Sequence, residues 1–154
     1  MSNSYNSFRW QSYTPGWLAS TTDPSIGNGS LTGRYYQLGD MVWFNIQGKA
    51  GTTTTGGSGI YLFTLPVKMK SAGISIVEHT ANFFLKDQSS GKFFGGWAYL
   101  YSNGTGYHAN GIIGPMLHQT STENWITNWG TSNWTIANGD YWNIDGCYQA
   151  ETAI

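Results

Sequence analysis

Residues 27–48, GNGSLTGRYYQLGDMVWFNIQG, decide the fold. Within them Val42, Phe44 and Ile46 fall on one face of an extended chain, and Trp43, Asn45 and Gln47 fall on the other, the two-residue alternation of a half-buried strand. Residues 31–38 form a second extended run, and Gly39-Asp40 between the two is turn chemistry. A weaker echo, NGDYWNIDG at residues 138–146, predicts a further strand over 141–149 that again starts after Gly-Asp.

Working outward, the same period recurs and helical patterning is almost absent. Residues 59–65, GIYLFTL, carry apolar groups on both faces and stop at Pro66, which cannot donate to a ladder. This strand is therefore expected to be covered on both sides, centrally in a sheet or against another subunit. Further strands are predicted over 8–14, 83–86, 92–101, 107–113 and 125–128, separated by Pro15-Gly16, Gly56-Gly57, Ser90-Gly91, Asn103-Gly104, Asn110-Gly111 and Gly139-Asp140. About eight short strands at this spacing predict an all-β, antiparallel β-sandwich or jelly roll. Residues 51–59, GTTTTGGSG, are expected to make a hairpin with a mobile Gly-Gly tip, since Thr favours extended backbone. Residues 1–7 carry no core pattern and are expected to form an N-terminal arm, leaving residues 8–154 as one domain.

The 154 residues suffice for one real core. Charged side chains make up 10% of the chain, against roughly 25% in an ordinary soluble domain, so Ser, Thr, Asn, Gly and aromatic rings must cover much of the outside. Seven basic and eight acidic side chains, scattered singly, provide no field for nucleic acid or an anionic membrane. Cys147 is the only cysteine, and no second Cys or tight His cluster offers metal-ligand spacing, so no metal or other cofactor is expected. No apolar run approaches the roughly 18 residues of a membrane helix, and the N-terminal residues do not read as a secretion signal. The expectation is a soluble chain made in a reducing compartment, with Asn28, Asn103 and Asn133 as ordinary turn and strand residues although they head glycosylation sequons.

Reactive constellations are scarce. His79, His108 and His118 lie far apart, and the Glu78-His79 pair has no nucleophile or orienting group at suitable spacing. Asp40 and Asp140 each follow Gly at the start of a strand, where a short carboxylate can fix the turn by accepting backbone N–H bonds. That role is favoured over a carboxylate pair for glycoside hydrolysis. Asp145 shares a strand face with Cys147 and can pair with Arg34 or Arg9. No catalytic residue is assigned.

Aromatic residues reach 16%, more than one small core needs. Trp125, Trp129 and Trp134 with Tyr101, Tyr107 and His108 crowd the last third of the chain among Asn, Thr and Gly. Such a mixture can stack on sugar rings, which makes Tyr107, His108, Trp125 and Trp129 glycan-binding candidates. It can equally fill a subunit interface, where rings are enriched and charge is depleted. Tyr61, Phe63, Trp43 and Arg34 are the subunit-interface candidates.

In the order of these features the chain resembles a module recurrent in structural proteins of tailed bacteriophages, notably C-terminal domains of minor tail and fibre proteins. The features are WQSYTPGWLAS, IGNGSLTGRYYQLGDMVWFNIQ, a Thr/Gly stretch, GSGIYLFTLP and the closing WTIANGDYWNIDGCYQA, with Trp134, Gly139-Asp140 and Tyr148 in place. The likeness covers both ends and leaves residues 67–130 unmatched. It implies a jelly roll similar to tumour-necrosis-factor-like or complement-C1q-like domains that assemble as homotrimers, a place on the virion surface among other virion proteins such as the major capsid protein or tail proteins, and no catalysis. Arg34, in the Gly-Arg-Tyr segment, is then expected to be a buried or interface fork. Tail and fibre versions carry a preceding attachment segment, whereas here the module begins near Met1, so docking is expected through the domain itself or through an arm with Tyr5, Phe8 and Trp10 as anchors. The reading that follows is a trimeric capsid-decorating protein with weak binding of a host surface glycan, the alternative being a receptor-binding tail tip.

Overall fold

The computed structural model describes residues 9–70, 79–102, 109–113 and 135–154. Among the described residues there is no helix, and the strands are β1 (Gln11–Tyr13), β2 (Trp17–Ala19), β3 (Ser30–Leu38), β4 (Met41–Lys49), β5 (Tyr61–Thr64), β6 (His79–Lys86), β7 (Phe93–Ser102), β8 (Ala109–Ile113) and β9 (Tyr141–Gln149). They pair antiparallel in the order β1-β3-β4-β9-β6-β7-β8-β5-β2. The all-β, single-domain antiparallel architecture expected from the sequence is the fold.

The hairpin of residues 27–48 forms as read. Leu38 pairs with Met41 across Gly39-Asp40, and Gly39 takes a φ of 59°, which a residue without Cβ adopts at little cost. Val42, Phe44 and Ile46 of β4 point inward, joined by Trp142, Ile144 and Tyr148 of β9, Ala81, Phe83 and Leu85 of β6, and Ala98 and Leu100 of β7.

The sheet curls until its edges meet. β1 and β2 occupy opposite edges, yet only residues 14–16 separate them, so the chain steps from one edge to the other. The Thr64 N–H donates to the Gly16 carbonyl (3.0 Å), extending the β2–β5 ladder, and the Tyr13 hydroxyl reaches from β1 to donate to the Thr64 carbonyl (3.4 Å), which draws the edges together. The curled sheet is thus a sandwich, with β2 and β5 facing β9 across the core: Trp17 lies 5.2 Å and Phe63 6.4 Å from Trp142, ring centre to ring centre. Room for Trp142 comes from Gly48, its cross-strand partner, where a Cβ would meet the indole at 2.1 Å.

Several expectations change. Tyr61 and Phe63, placed at a subunit interface by the two-sided apolar pattern of their strand, are buried inside one chain against Trp17. The predicted strand over 8–14 is three residues long, and a second one, β2, follows Pro15-Gly16. The strand expected over 83–86 starts at His79. The Thr/Gly stretch does not pair with itself: Thr55 bridges Ser25, Ser58 bridges Thr22, and the Asn28 side chain bonds Thr52 and Thr53. The predicted strand over 125–128 and the arm at residues 1–7 lie outside the described residues.

Tyr148 shows how the core fixes a loop. Its hydroxyl donates to the Val67 carbonyl (2.8 Å) and accepts from the Val67 N–H (3.2 Å), pinning the chain just after Pro66. Burial pushes its pKa up, as it does for Tyr13. Tyr148→Phe is expected to destabilise the fold by about 1–3 kcal/mol, because both groups of Val67 lose their partner. Urea unfolding measures this, and an unchanged midpoint refutes the clamp.

Candidate functional site

Residues that alternate outward on the central strands fall into rows across the sheet. One row runs Arg34 (β3), Asn45 (β4), Asp145 (β9), Asn82 (β6) and Trp97 (β7), each residue paired directly with the next. Beside it runs Thr32, Gln47, Asn143 and Phe84. The two rows are stitched by amides: Asn143 Oδ1 accepts from Asn45 Nδ2 (2.6 Å) and Gln47 Nε2 (3.3 Å), while Asn143 Nδ2 donates to Asp145 Oδ1 (2.7 Å). Asn82 Nδ2 donates to the other Asp145 oxygen at 3.3 Å. Asn45, expected on the solvent side, is indeed on the outer face but only 8% exposed. Asp145 lies two strands from Arg34, roughly 10 Å of sheet, and is held by amides where an arginine partner was expected.

Aromatic rings flank this polar centre. On the β1–β4 side the Arg34 guanidinium lies 4.9 Å over Trp10, Trp10 stands edge-on to Tyr36 (4.9 Å), and Tyr36 stacks on Trp43 (4.8 Å, 9°). Arg34 is exposed in the single chain, so of the expected buried or interface fork the buried form is ruled out. Trp10 lies on the sheet face instead of projecting as part of an arm, while Tyr5 and Phe8 lie outside the described residues. On the β7 side stands Trp97, 55% exposed. At the other end of the strands Phe84, Phe93 and Tyr141 gather around Lys86, whose ammonium sits 5.4 Å and 5.7 Å from the last two rings.

The carboxylates elsewhere hold turns. Asp140, fully buried, accepts the N–H groups of Gln88 (2.8 Å) and Ala137 (2.7 Å), joining the turn before β9 to the β6–β7 turn. Burial raises its pKa against the lowering effect of those bonds, and neighbouring Asp87 raises it further. Asp87 also experiences burial, yet bonds from the side chains and backbone of Ser89 and Ser90 bring its pKa below the ordinary value. Asp40 accepts from Gln149 Nε2, so it ties the hairpin to β9 and not, as expected, to its own turn. Lys68 and Glu151 form an ion pair at 2.8 Å on the surface.

Among the described residues no group of three or more His, Cys, Asp or Glu side chains is placed to hold a metal ion, and no helix is long and apolar enough to cross a membrane. The glycan-binding candidates Tyr107, His108, Trp125 and Trp129 lie outside the described residues. Of the trimer-interface candidates, Trp43 and Arg34 belong to the outer face and Tyr61 and Phe63 to the core. Asn82, Trp97 and Asn143 were missed as site residues because the β6–β7 hairpin that carries the first two lies far in sequence from β9, and only the pairing register unites them. Comparison with protein-family models found no match, and searches of curated proteins and of solved structures likewise found none.

Proposed function

We propose that this chain is a non-enzymatic structural protein of a tailed-phage virion surface, a trimer that decorates the capsid. The observation that carries the reading is the placement of the exposed large apolar side chains: Trp10, Leu38, Phe93, Trp97 and Tyr141 all belong to the outer face of one sheet, and of that set among the described residues only Ile154 lies elsewhere. A face so built on a rigid sandwich suits contact with other molecules better than turnover. The corner of Phe84, Phe93 and Tyr141 around the Lys86 ammonium suits a protein neighbour, which can cover the rings and pair with the cation. The structural roles of Asp40, which ties a hairpin to β9, and of Asp87 and Asp140, which hold turns, also support a non-catalytic module.

Light scattering tests the assembly: the expected mass is three times the 17.0 kDa of the chain, and a stable monomer at micromolar concentration overturns the trimer. Labelling intact particles then tests the position. Copies that scale with the shell lattice support decoration, and copies confined to the tail support the receptor-binding alternative, which the polar centre of the outer face favours.

A further inference from the structure

The outer face is not uniform, and its arrangement identifies a ligand class. Protein interfaces concentrate apolar anchors at the centre and polar groups at the rim. Across the row from Arg34 to Trp97 the order is reversed: amides and a carboxylate hold the middle, Trp97 stands at one end, and Trp10 lies against Arg34 at the other. A second protein surface would have to desolvate Asn143, Asp145 and Asn82 at the point where a hot spot belongs.

We propose that this row binds a neutral polysaccharide, laid across the strands from Trp97 to the Tyr36–Trp43 stack. A sugar ring offers what both parts require. Its apolar C–H face can lie on the Trp97 indole, and its hydroxyls both donate and accept. Ionised Asp145 accepts only and has about four acceptor sites, of which Asn143 and Asn82 fill two, so hydroxyls can donate to the rest. The Asn82 amide beside it is exposed and has both donor and acceptor atoms.

The amide bonds onto Asn143 and Asp145 hold this centre in place before a ligand arrives, which lowers the ordering cost of binding. Three inter-strand steps separate Trp43 from the Trp97 strand, roughly 14 Å, which calls for an oligosaccharide and not a single ring. Neutrality follows from the row itself, where Arg34 and Asp145 balance. The inference extends the surface-module reading by naming a ligand, and it is measured on the isolated chain, so its failure leaves the particle assignment standing.

The test is titration calorimetry of the purified full chain with neutral hexose oligosaccharides of increasing length in the cello-, malto- and laminari-series. Binding is expected to strengthen with length until the span is filled. Trp97→Ala and Asn82→Ala are each expected to weaken it roughly tenfold or more with thermal unfolding unchanged, since both side chains are exposed. Phe93→Ala, in the corner around Lys86, is expected to leave binding unchanged. No heat with any member of the series overturns the proposal, as does equal loss in Phe93→Ala or a requirement for acidic sugars. If Trp97→Ala changes the oligomeric mass in light scattering, the row is a subunit interface and the saccharide assignment falls.

Discussion

Trp142→Ala is expected to lower the unfolding free energy by about 4 kcal/mol, a large share of the roughly 5–15 kcal/mol that holds a domain together. Trp142 is 1% exposed and fills the space between the two layers, touching Trp17 and Phe63 from the facing one. Its removal leaves a cavity that those rings cannot close without moving β2, a three-residue strand at the sheet edge. Trp97→Ala removes the same side chain from the opposite surface and is expected to change stability by less than about 0.5 kcal/mol. Guanidinium unfolding of the pair decides the matter. Equal losses would mean that the inward and outward sets of the central strands have been exchanged.

Asp140→Asn should cost about 3 kcal/mol although the two side chains match in shape. Both carboxylate oxygens accept a backbone N–H, from Gln88 and from Ala137, whereas an amide has one oxygen and must turn its NH₂ toward the second N–H. The site is fully buried, so water cannot relieve the conflict. The pH dependence has a definite sign. Burial keeps the folded-state pKa above the ordinary value, so the stabilisation linked to this proton is complete below about 4 and is lost as pH rises through the folded value. Asp87 acts in reverse: its lowered pKa contributes stability above about 4 that is lost as pH falls through its folded value. Asp140→Asn should therefore remove the decline on the alkaline side of that range and keep the acid-side loss due to Asp87. Chemical unfolding across the range measures both, and an unaltered profile would show that Asp140 does not titrate in this way.

The parts of the fold that could be read from the sequence are those where one strand carries its whole signal. β3, β4 and β9 alternate over nine residues each, and Gly-Asp marks where β4 and β9 begin. The start of β6 was hidden because its first buried residue, Ala81, is too small to register as apolar contrast beside His79, Thr80 and Asn82. β2 has three residues, too few for any period. Tyr61 and Phe63 were misplaced for another reason: a strand with apolar groups on both faces cannot reveal which face meets its own core. The outer row was invisible in principle, since it takes one residue from each of five strands and exists only through their register. Arg34, Trp43 and Trp10 could be singled out by type, but not the amides that complete the surface between them and Trp97.

The place of β9 between β4 and β6 sets an order of events during synthesis. The two hairpins β3–β4 and β6–β7 can each close from neighbouring sequence, but the strand that joins them is the last of the nine described strands to leave the ribosome. Until it arrives, β4 and β6 each present an unpaired edge beside an apolar face that includes Phe44 and Phe83. The nascent chain must wait as two half-sheets, and the final insertion closes contacts spanning some sixty to one hundred residues, a topology that folds slowly. On a crowded ribosome cluster the same open edges of adjacent chains compete with β9 for pairing, so yield in overexpression should depend on temperature and chaperone supply more than on the stability of the finished fold.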